Sequence, residues 1–260
     1  MDEKNLKLAV RLEDVSKSFG NVHAVKKLDL QIDVGSIFGF LGPNGSGKST
    51  TLKMIMGLLK ADFGKLSVYG IDVSKNPWEV KKIVGYVPES PRLYEFLTGL
   101  EYLDFIADVH GLDEDAKKNR IQEYLDAFDL ENRENEMISG YSHGMKQKIA
   151  IIAALLHKPK LLILDEPLSG LDPKSARIVK DLLHKLAGEG VTTIMSTHVL
   201  EIADAVCDKI AIIYQGSKLA EGKSSELRKE AKMPDSTLED IFLKLTGTSD
   251  IKKIVEALGK

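Results

Sequence analysis

The residues Gly42-Pro43-Asn44-Gly45-Ser46-Gly47-Lys48-Ser49-Thr50 carry the spacing G-x-x-x-x-G-K-[ST]. Each residue type suits the binding of phosphate. Glycines at 42, 45 and 47 let the backbone curl closely around oxygen atoms, because no Cβ blocks the approach. Lys48 supplies a point charge for the β- and γ-phosphates, and the Ser49 hydroxyl is a ligand for Mg²⁺. The flanking sequence fits as well. The apolar run Ile37-Phe38-Gly39-Phe40-Leu41 reads as a buried strand, and Leu52, Ile55, Met56 and Leu59 recur at helical spacing. A strand, a glycine turn and a helix aim backbone N–H groups and a helix N-terminus at one point, which makes an anion site. Residues 42–50 are therefore expected to bind a nucleoside triphosphate.

A second group of residues supplies reactive chemistry. Leu161-Leu162-Ile163-Leu164 is a continuous apolar run ending at Asp165-Glu166-Pro167. Such a run suits a strand buried on both faces of a parallel sheet, with two carboxylates at its carboxyl end. Adjacent side chains on a strand diverge, so the two acids take different roles. Asp165 is placed to hold Mg²⁺, directly or through water, and Glu166 to polarise the attacking water as general base. Val191 to Met195 reads as another buried strand, followed by Ser196-Thr197-His198. His198 is thereby expected on the same rim, able to reach the γ-phosphate or orient Glu166.

The remaining elements must hold these groups together. Leu8 to Val15 reads as a first strand, and Leu28, Leu30, Ile32 and Val34 alternate with polar residues as a half-buried strand. Antiparallel strands are thus expected ahead of a parallel core. Phe19 falls in a polar stretch read as a loop, where an aromatic ring serves either to stack on adenine or to anchor the loop. Leu66 to Tyr69 and Ile83 to Val87 read as further strands. From about Leu100 to Phe128 the period becomes helical, with Leu100, Leu103, Ile106 and Val109, then Ile121, Tyr124, Leu125 and Phe128 on apolar faces. This predicts a helical insertion at about 89–158. Its aromatic residues Tyr94, Phe96, Tyr102 and Phe105 suit packing better than a cofactor site, with a docking surface as the alternative. Asp172 before Pro173 marks the start of a helix buried through Ile178, Leu182, Leu183 and Leu186. Lys209 to Tyr214 and Lys218 to Ala220 flank a tight turn at Gln215-Gly216-Ser217. Beyond Gly222 a short tail, 223–260, is expected to hold a helix capped at Ser236-Thr237 and a last one through Ile251, Ile254, Val255 and Leu258.

Bulk properties narrow the class. The chain has 260 residues, 29% of them charged and 43% hydrophobic, with a net charge of −3. That balance describes a globular protein and gives no electrostatic case for nucleic acid as a partner. Cys207 is the only cysteine, so no intramolecular disulfide is possible and a reducing compartment is expected. The start lacks the basic-then-apolar order of a secretory signal, and the longest apolar run, Ile149 to Leu156, is too short to span a bilayer.

With these motifs in this order, Leu8 to Gly222 resembles the nucleotide-binding subunit of ABC transporters. The resemblance implies a P-loop NTPase of α/β class, with a RecA-like, mostly parallel core sheet, an N-terminal antiparallel β subdomain and an inserted helical subdomain. The family's signature, usually Leu-Ser-Gly-Gly-Gln, corresponds to Tyr141-Ser142-His143-Gly144-Met145. His143 replaces a glycine and Met145 the glutamine, while Ser142 and Gly144, the γ-phosphate contacts, are kept. Ser142 caps a helix whose N-terminal dipole favours an anion. By resemblance, Phe19 stacks on adenine, Ser169-Gly170-Leu171-Asp172 is the inter-subunit loop, and His198 is the switch histidine. Tyr141 to Met145 and Asp172 would then face a second ATPase subunit, identical or a close paralogue, with ATP at the interface. Glu89 stands where the family usually has a glutamine that touches Mg²⁺ and the attacking water. It is expected to act in catalysis and metal binding with altered Mg²⁺ affinity.

ATP and Mg²⁺ are the implied cofactors. An integral membrane permease is the implied partner, which places the chain peripherally on the cytoplasmic face of the cell membrane. The tail segment Leu238 to Gly247, the Tyr141 to Gln147 variant and Glu89 resemble the exporter branch handling drugs, antibiotics and polysaccharides. An importer subunit would often carry a large regulatory domain. A non-transport ABC ATPase would usually show tandem domains, coiled coils or zinc-binding cysteines.

Overall fold

The apolar run Ile37–Leu41 is buried along its whole length at the centre of a sheet, in a computed structural model that describes residues 8–233 and 236–247. The chain opens with strands β1 (Leu8–Phe19), β2 (Val22–Asp33) and β3 (Ile37–Leu41), then helix α1 (Lys48–Ile55). Strands β4 (Phe63–Val68) and β5 (Ile71–Asp72), helix α2 (Pro77–Ile83) and strand β6 (Val84–Val87) follow. Helices α3 (Gly99–Val109), α4 (Glu114–Ala127) and α5 (His143–Leu155) separate β6 from β7 (Leu161–Asp165). Then come α6 (Pro173–Gly188), β8 (Thr192–Thr197), α7 (Leu200–Val206), β9 (Lys209–Tyr214), β10 (Ser217–Gly222), α8 (Ser224–Glu230) and α9 (Leu238–Thr246). The expected last helix, at Ile251 to Leu258, lies outside the described residues.

Two sheets share the core. One is antiparallel, in the order β2-β1-β4-β5, and the other runs β10-β9-β3-β8-β7-β6. In the second sheet only the β9–β10 pair is antiparallel. Successive side chains on a strand point to opposite faces, and the apolar clusters show it. Phe38, Phe40, Leu161 and Ile163 pack with α1 and the antiparallel sheet. Ile37, Leu162 and Leu164 pack instead with Leu103, Ile121, Leu125, Ile149 and Ile152 of the helical insertion. The continuous apolar runs are thus explained by burial on both faces.

Several local expectations change. β1 continues to Phe19, which pairs with Val22 across a two-residue turn at Gly20-Asn21, so Phe19 ends a strand and is not in a loop. The polar Ser16, Lys17 and Ser18 obscured this, because they pair along an outlying hairpin. Leu28, Leu30 and Ile32 are buried as the alternation predicts, but Val34 lies beyond the strand end and is exposed. In α3 the buried face is Leu103 and Ala107, while Leu100 and Val109 are exposed. Helix α2 has one fully buried residue, Val80, too few to show a period. The turn before β10 needs only Gln215 and Gly216, both at positive φ of 48° and 81°, the pattern of tight hairpins.

Caps behave as local chemistry dictates. Thr98 forms a capping box with Glu101, and Asp172 accepts from the Ser175 amide ahead of Pro173. Thr237 forms another capping box, with Asp240, so the tail helix starts where the sequence indicates. Leu227, Leu238 and Ile241 then bury against Leu41, Ala203, Ile210 and Ile212, which docks α8 and α9 on the core sheet's β9 end.

The insertion meets the core at a pair of histidines. His110 caps α3 and stacks on His157, with ring centroids 3.9 Å apart and planes 8° apart. His157 Nε2 donates to the Val84 carbonyl at 3.3 Å. Burial, with the neighbouring His110 adding to it, pushes His157 down to about 4 from an ordinary 6.5. The folded state therefore resists a proton that the unfolded chain accepts, so this contribution is intact above pH 6.5 and is lost as pH falls through about 4. Replacing His157 with glutamine is expected to flatten the decline of unfolding free energy across that interval, measured by urea denaturation at a series of pH values.

Candidate functional site

The site begins with register. In the parallel sheet Leu41 pairs with Thr197, Asp165 with Ser196, and Val87 with Leu164. The carboxyl ends of β3, β6, β7 and β8 therefore fall along one edge. From that edge emerge the loop 42–47, Glu89, Glu166 and His198, residues that are far apart in the chain. Ligand sites in open parallel sheets sit at such edges.

The phosphate loop is shaped by its glycines. Gly47, at φ 107°, caps α1, and a Cβ there would lie 2.4 Å from the Ala24 carbonyl oxygen. A Cβ on Gly42 would lie 2.1 Å from the Ile213 carbonyl. Gly45, at φ 78°, meets no atom within 4 Å, so the loop's outer turn is open on that side. Ser46 Oγ is buried and has no hydrogen-bond partner among the described residues. Lys48 folds across the loop, its Nζ donating to the carbonyls of Gly42 at 2.6 Å and Pro43 at 3.2 Å. Burial pushes the Lys48 amine below its ordinary value, while Glu166, Asp165 and Glu89 pull it upward. Those three carboxylates are therefore near enough to act on the loop's cation through their charge.

The acidic pair is held by the neighbouring strand. Ser196 Oγ donates to Asp165 Oδ1, and the Glu166 amide donates to the Ser196 carbonyl at 3.2 Å. Glu166 sits at φ 50°, a left-handed conformation uncommon for glutamate. Its buried carboxylate takes a 2.8 Å hydrogen bond from His198 Nδ1, which leaves Nε2 on the half-exposed side of the ring. Ser196 is absent from the candidates that sequence reasoning reached. A lone serine in an apolar strand carries no motif, and only the β7–β8 register reveals its place.

A buried carboxylate held by an imidazole can take a proton from water, and loop N–H groups with Lys48 can hold phosphate oxygens. The donor set also fits Mg²⁺. The Ser49 hydroxyl, Asp165 and Glu89 would offer it a few hard oxygen ligands, and no closed cluster of metal-binding side chains occurs among the described residues. Mg²⁺ is characteristically bound this way, through one or two carboxylates and substrate phosphates. The unpartnered Ser46 Oγ and the open Gly45 turn fit an added phosphate group.

The signature residues lie on the insertion. Ser142 caps α5, accepting from the Met145 amide at 3.2 Å. His143 lies over Gly170, whose Cβ would be 2.3 Å from His143 Cδ2, and a Cβ on Gly144 would be 3.0 Å from the Gly170 carbonyl. The signature and the loop 169–172 are thus packed together within one chain. Two signature residues point elsewhere. Tyr141 is buried, its hydroxyl donating to the Arg133 carbonyl at 2.7 Å, and Met145 packs against the insertion's core. Their side chains brace the subdomain from inside; Ser142 and His143 are the exposed ones. Phe19 is exposed at the tip of its hairpin, with Lys17 Nζ 5.5 Å from the ring centroid.

A glycine loop feeding a helix, with an Asp-Glu pair on a nearby strand end of a mostly parallel sheet, defines a P-loop nucleoside triphosphatase. The family model described as "ABC transporter" matches residues 25–169. The linearmycin resistance ATP-binding protein LnrL of Bacillus subtilis is 39% identical, over 84% of this chain and 70% of that protein. The bacitracin transport ATP-binding protein BcrA of Bacillus licheniformis is 37% identical, over 85% of this chain and 71% of its own. Among solved structures, an ATP-binding subunit of an ABC transporter superposes with a TM-score of 0.87 at 32% identity, covering 92% of this chain and 99% of that one. A dimeric ATP-binding cassette in a post-hydrolysis state, bound to ADP and Pi, gives 0.76 at 28% identity, covering 82% and 98%. The chain belongs to the ABC transporter family, as an ATP-binding subunit that hydrolyses ATP.

Gly47→Ala tests the loop geometry. Both the φ of 107° and the 2.4 Å approach to Ala24 forbid a methyl group without a backbone shift. It is expected to cost more than about 1 kcal/mol of stability by denaturant titration and to weaken ATP binding by fluorescence titration.

Proposed function

We propose that the chain powers an ABC exporter, with Glu166 as the general base of ATP hydrolysis. The observation that carries the catalytic part is the hydrogen bond from half-exposed His198 to buried Glu166, next to Asp165 in the chain and within electrostatic reach of Lys48. In this reading the loop amides of residues 42–50 and Lys48 grip the β- and γ-phosphates, and Phe19 stacks on adenine. Ser49, Asp165 and Glu89 would hold Mg²⁺, which when bound would supply positive charge against the phosphates. Glu166 accepts the proton of the attacking water, and His198, donating through Nδ1, keeps that carboxylate aimed while Nε2 faces the γ-phosphate.

The second half of each site comes from another subunit. Ser142, His143 and Gly144, at the N-terminus of α5, face the γ-phosphate held by a partner ATPase chain, and Asp172 belongs to the loop beside them. Two ATP molecules thus join two subunits, and hydrolysis with product release reopens them. An integral membrane permease, to which this chain docks peripherally at the cytoplasmic face of the membrane, converts that motion into transport. No helix of the described residues is long and apolar enough to cross a membrane, so the passage itself is assigned to the permease. The exporter assignment is supported by relatives named for linearmycin resistance, bacitracin transport and daunorubicin/doxorubicin resistance. The exposed aromatic group Tyr94, Phe96 and Phe105, with Tyr94 stacked on Phe96 at 5.8 Å, suits a docking surface for that partner.

Glu166→Gln is expected to lower ATP turnover by roughly 10²–10⁴ while sparing ATP binding, and to accumulate an ATP-bound dimer by size exclusion. Unchanged turnover would remove Glu166 from the role of base. Glu89→Gln is expected to shift the Mg²⁺ concentration for half-maximal hydrolysis. If neither the rate nor that midpoint moves, Glu89 is not a metal ligand. Co-purification from native membranes tests the assembly, with a polytopic membrane protein as the expected companion.

A further inference from the structure

Ser196 is fully buried at the end of β8, and its hydroxyl has capacity for one donated and two accepted hydrogen bonds. The donated one goes to Asp165 Oδ1. On its acceptor side stands the Glu166 amide, 3.3 Å from Ser196 Oγ and 3.2 Å from the Ser196 carbonyl. One residue on one strand therefore touches both members of the acidic pair on the next. The two contacts have different consequences. The first ties Oδ1 of Asp165 and so fixes its rotamer, leaving its second oxygen outside that bond. The second holds the peptide between Asp165 and Glu166 in the orientation that goes with φ 50° at Glu166. At that φ the Glu166 side chain reaches His198 Nδ1, 2.8 Å away. An ordinary extended backbone there would send the side chain in another direction.

We propose that Ser196 is a positioning residue for ATP hydrolysis, setting Asp165 for Mg²⁺ through its hydroxyl and Glu166 for water through that hydroxyl together with its own carbonyl. The inference rests on the roles given above to Asp165 and Glu166 and adds a residue that touches neither nucleotide nor metal. Neighbouring polar residues do not duplicate it. Thr197 Oγ1 accepts from the Val199 amide, and the Thr192 hydroxyl meets Tyr69 and the Gly35 amide at the far end of the strand. Outer hydrogen bonds that orient a metal-binding carboxylate are typically worth 10- to 100-fold in metal affinity or activity.

The test compares Ser196→Ala with the wild-type chain, and uses Glu166→Gln as a background without turnover. Mn²⁺ binding to the ATP-loaded Glu166→Gln chain is followed by electron paramagnetic resonance, with and without Ser196→Ala. The expected result is a roughly 10- to 100-fold loss in Mn²⁺ affinity and in kcat, with metal-free ATP binding changed less than about 2-fold. Ser196→Cys, close in volume and a weaker donor, is expected to fall between, and serves if the alanine variant fails to fold. A lower thermal midpoint with unchanged Mn²⁺ affinity and kcat would make Ser196 merely structural and overturn the proposal. If Asp165→Asn also left Mn²⁺ affinity unchanged, the metal assignment itself would fall. If only Asp165→Asn mattered, that assignment would stand without Ser196.

Discussion

One rung of the sheet organises this protein's site: the parallel pairing of β7 with β8, which sets Asp165 beside Ser196. Side chains on neighbouring parallel strands stand in register, and a slip of one residue would send each to the opposite face. Here that slip would bury Glu166 where Asp165 now lies and part it from His198. The register is secured by apolar packing, since Leu162, Leu164 and Met195 serve one core while Leu161, Ile163 and Ile194 serve the other. Packing on both faces thus does the aligning, and the polar groups at the strand ends inherit their positions from it.

The electrostatics follow from the same edge. Three carboxylates, Asp165, Glu166 and Glu89, act electrostatically on Lys48. A single amine leaves the group short of positive charge, and an ATP polyanion would deepen the deficit. The α1 N-terminus and the loop amides meet part of it, and a divalent cation meets the rest. The acids that make the site reactive therefore also create its demand for metal. The helical insertion stays outside this balance. It is attached by apolar packing on Ile37, Leu162 and Leu164 of the core sheet, and within it the salt bridge of Lys146 with Glu95, at 2.6 Å, ties α5 to the aromatic segment.

Much of this was legible in the sequence because the physics was local. The phosphate loop carries its own backbone demands, Asp172-Pro173 and Thr237 announce helix starts, and runs such as Leu161 to Leu164 declare burial on two faces. What could not be read depended on distant partners. Ser196 acquires meaning only from Asp165, 31 positions away. Tyr141 has a motif position but a side chain turned toward Arg133, and nothing in the motif gives that direction. Helix α2 and the outer half of β1 are short or polar, so no period marks them. Phe19 lies on such a segment, and its place at a strand tip came from cross-strand pairing.

The contact between His143 and Gly170 places a joint restriction on how this protein can diverge. Position 170 is confined twice, by its φ of 73° and by the imidazole lying over it. Trimming residue 143 lifts the steric restriction and leaves the conformational one, so asparagine, which tolerates that region of φ, becomes an acceptable newcomer and valine does not. Among descendants of this sequence, the two positions should thus vary in a set order: 143 first toward a smaller side chain, and 170 only afterwards. The contact acts as a one-way gate on sequence drift.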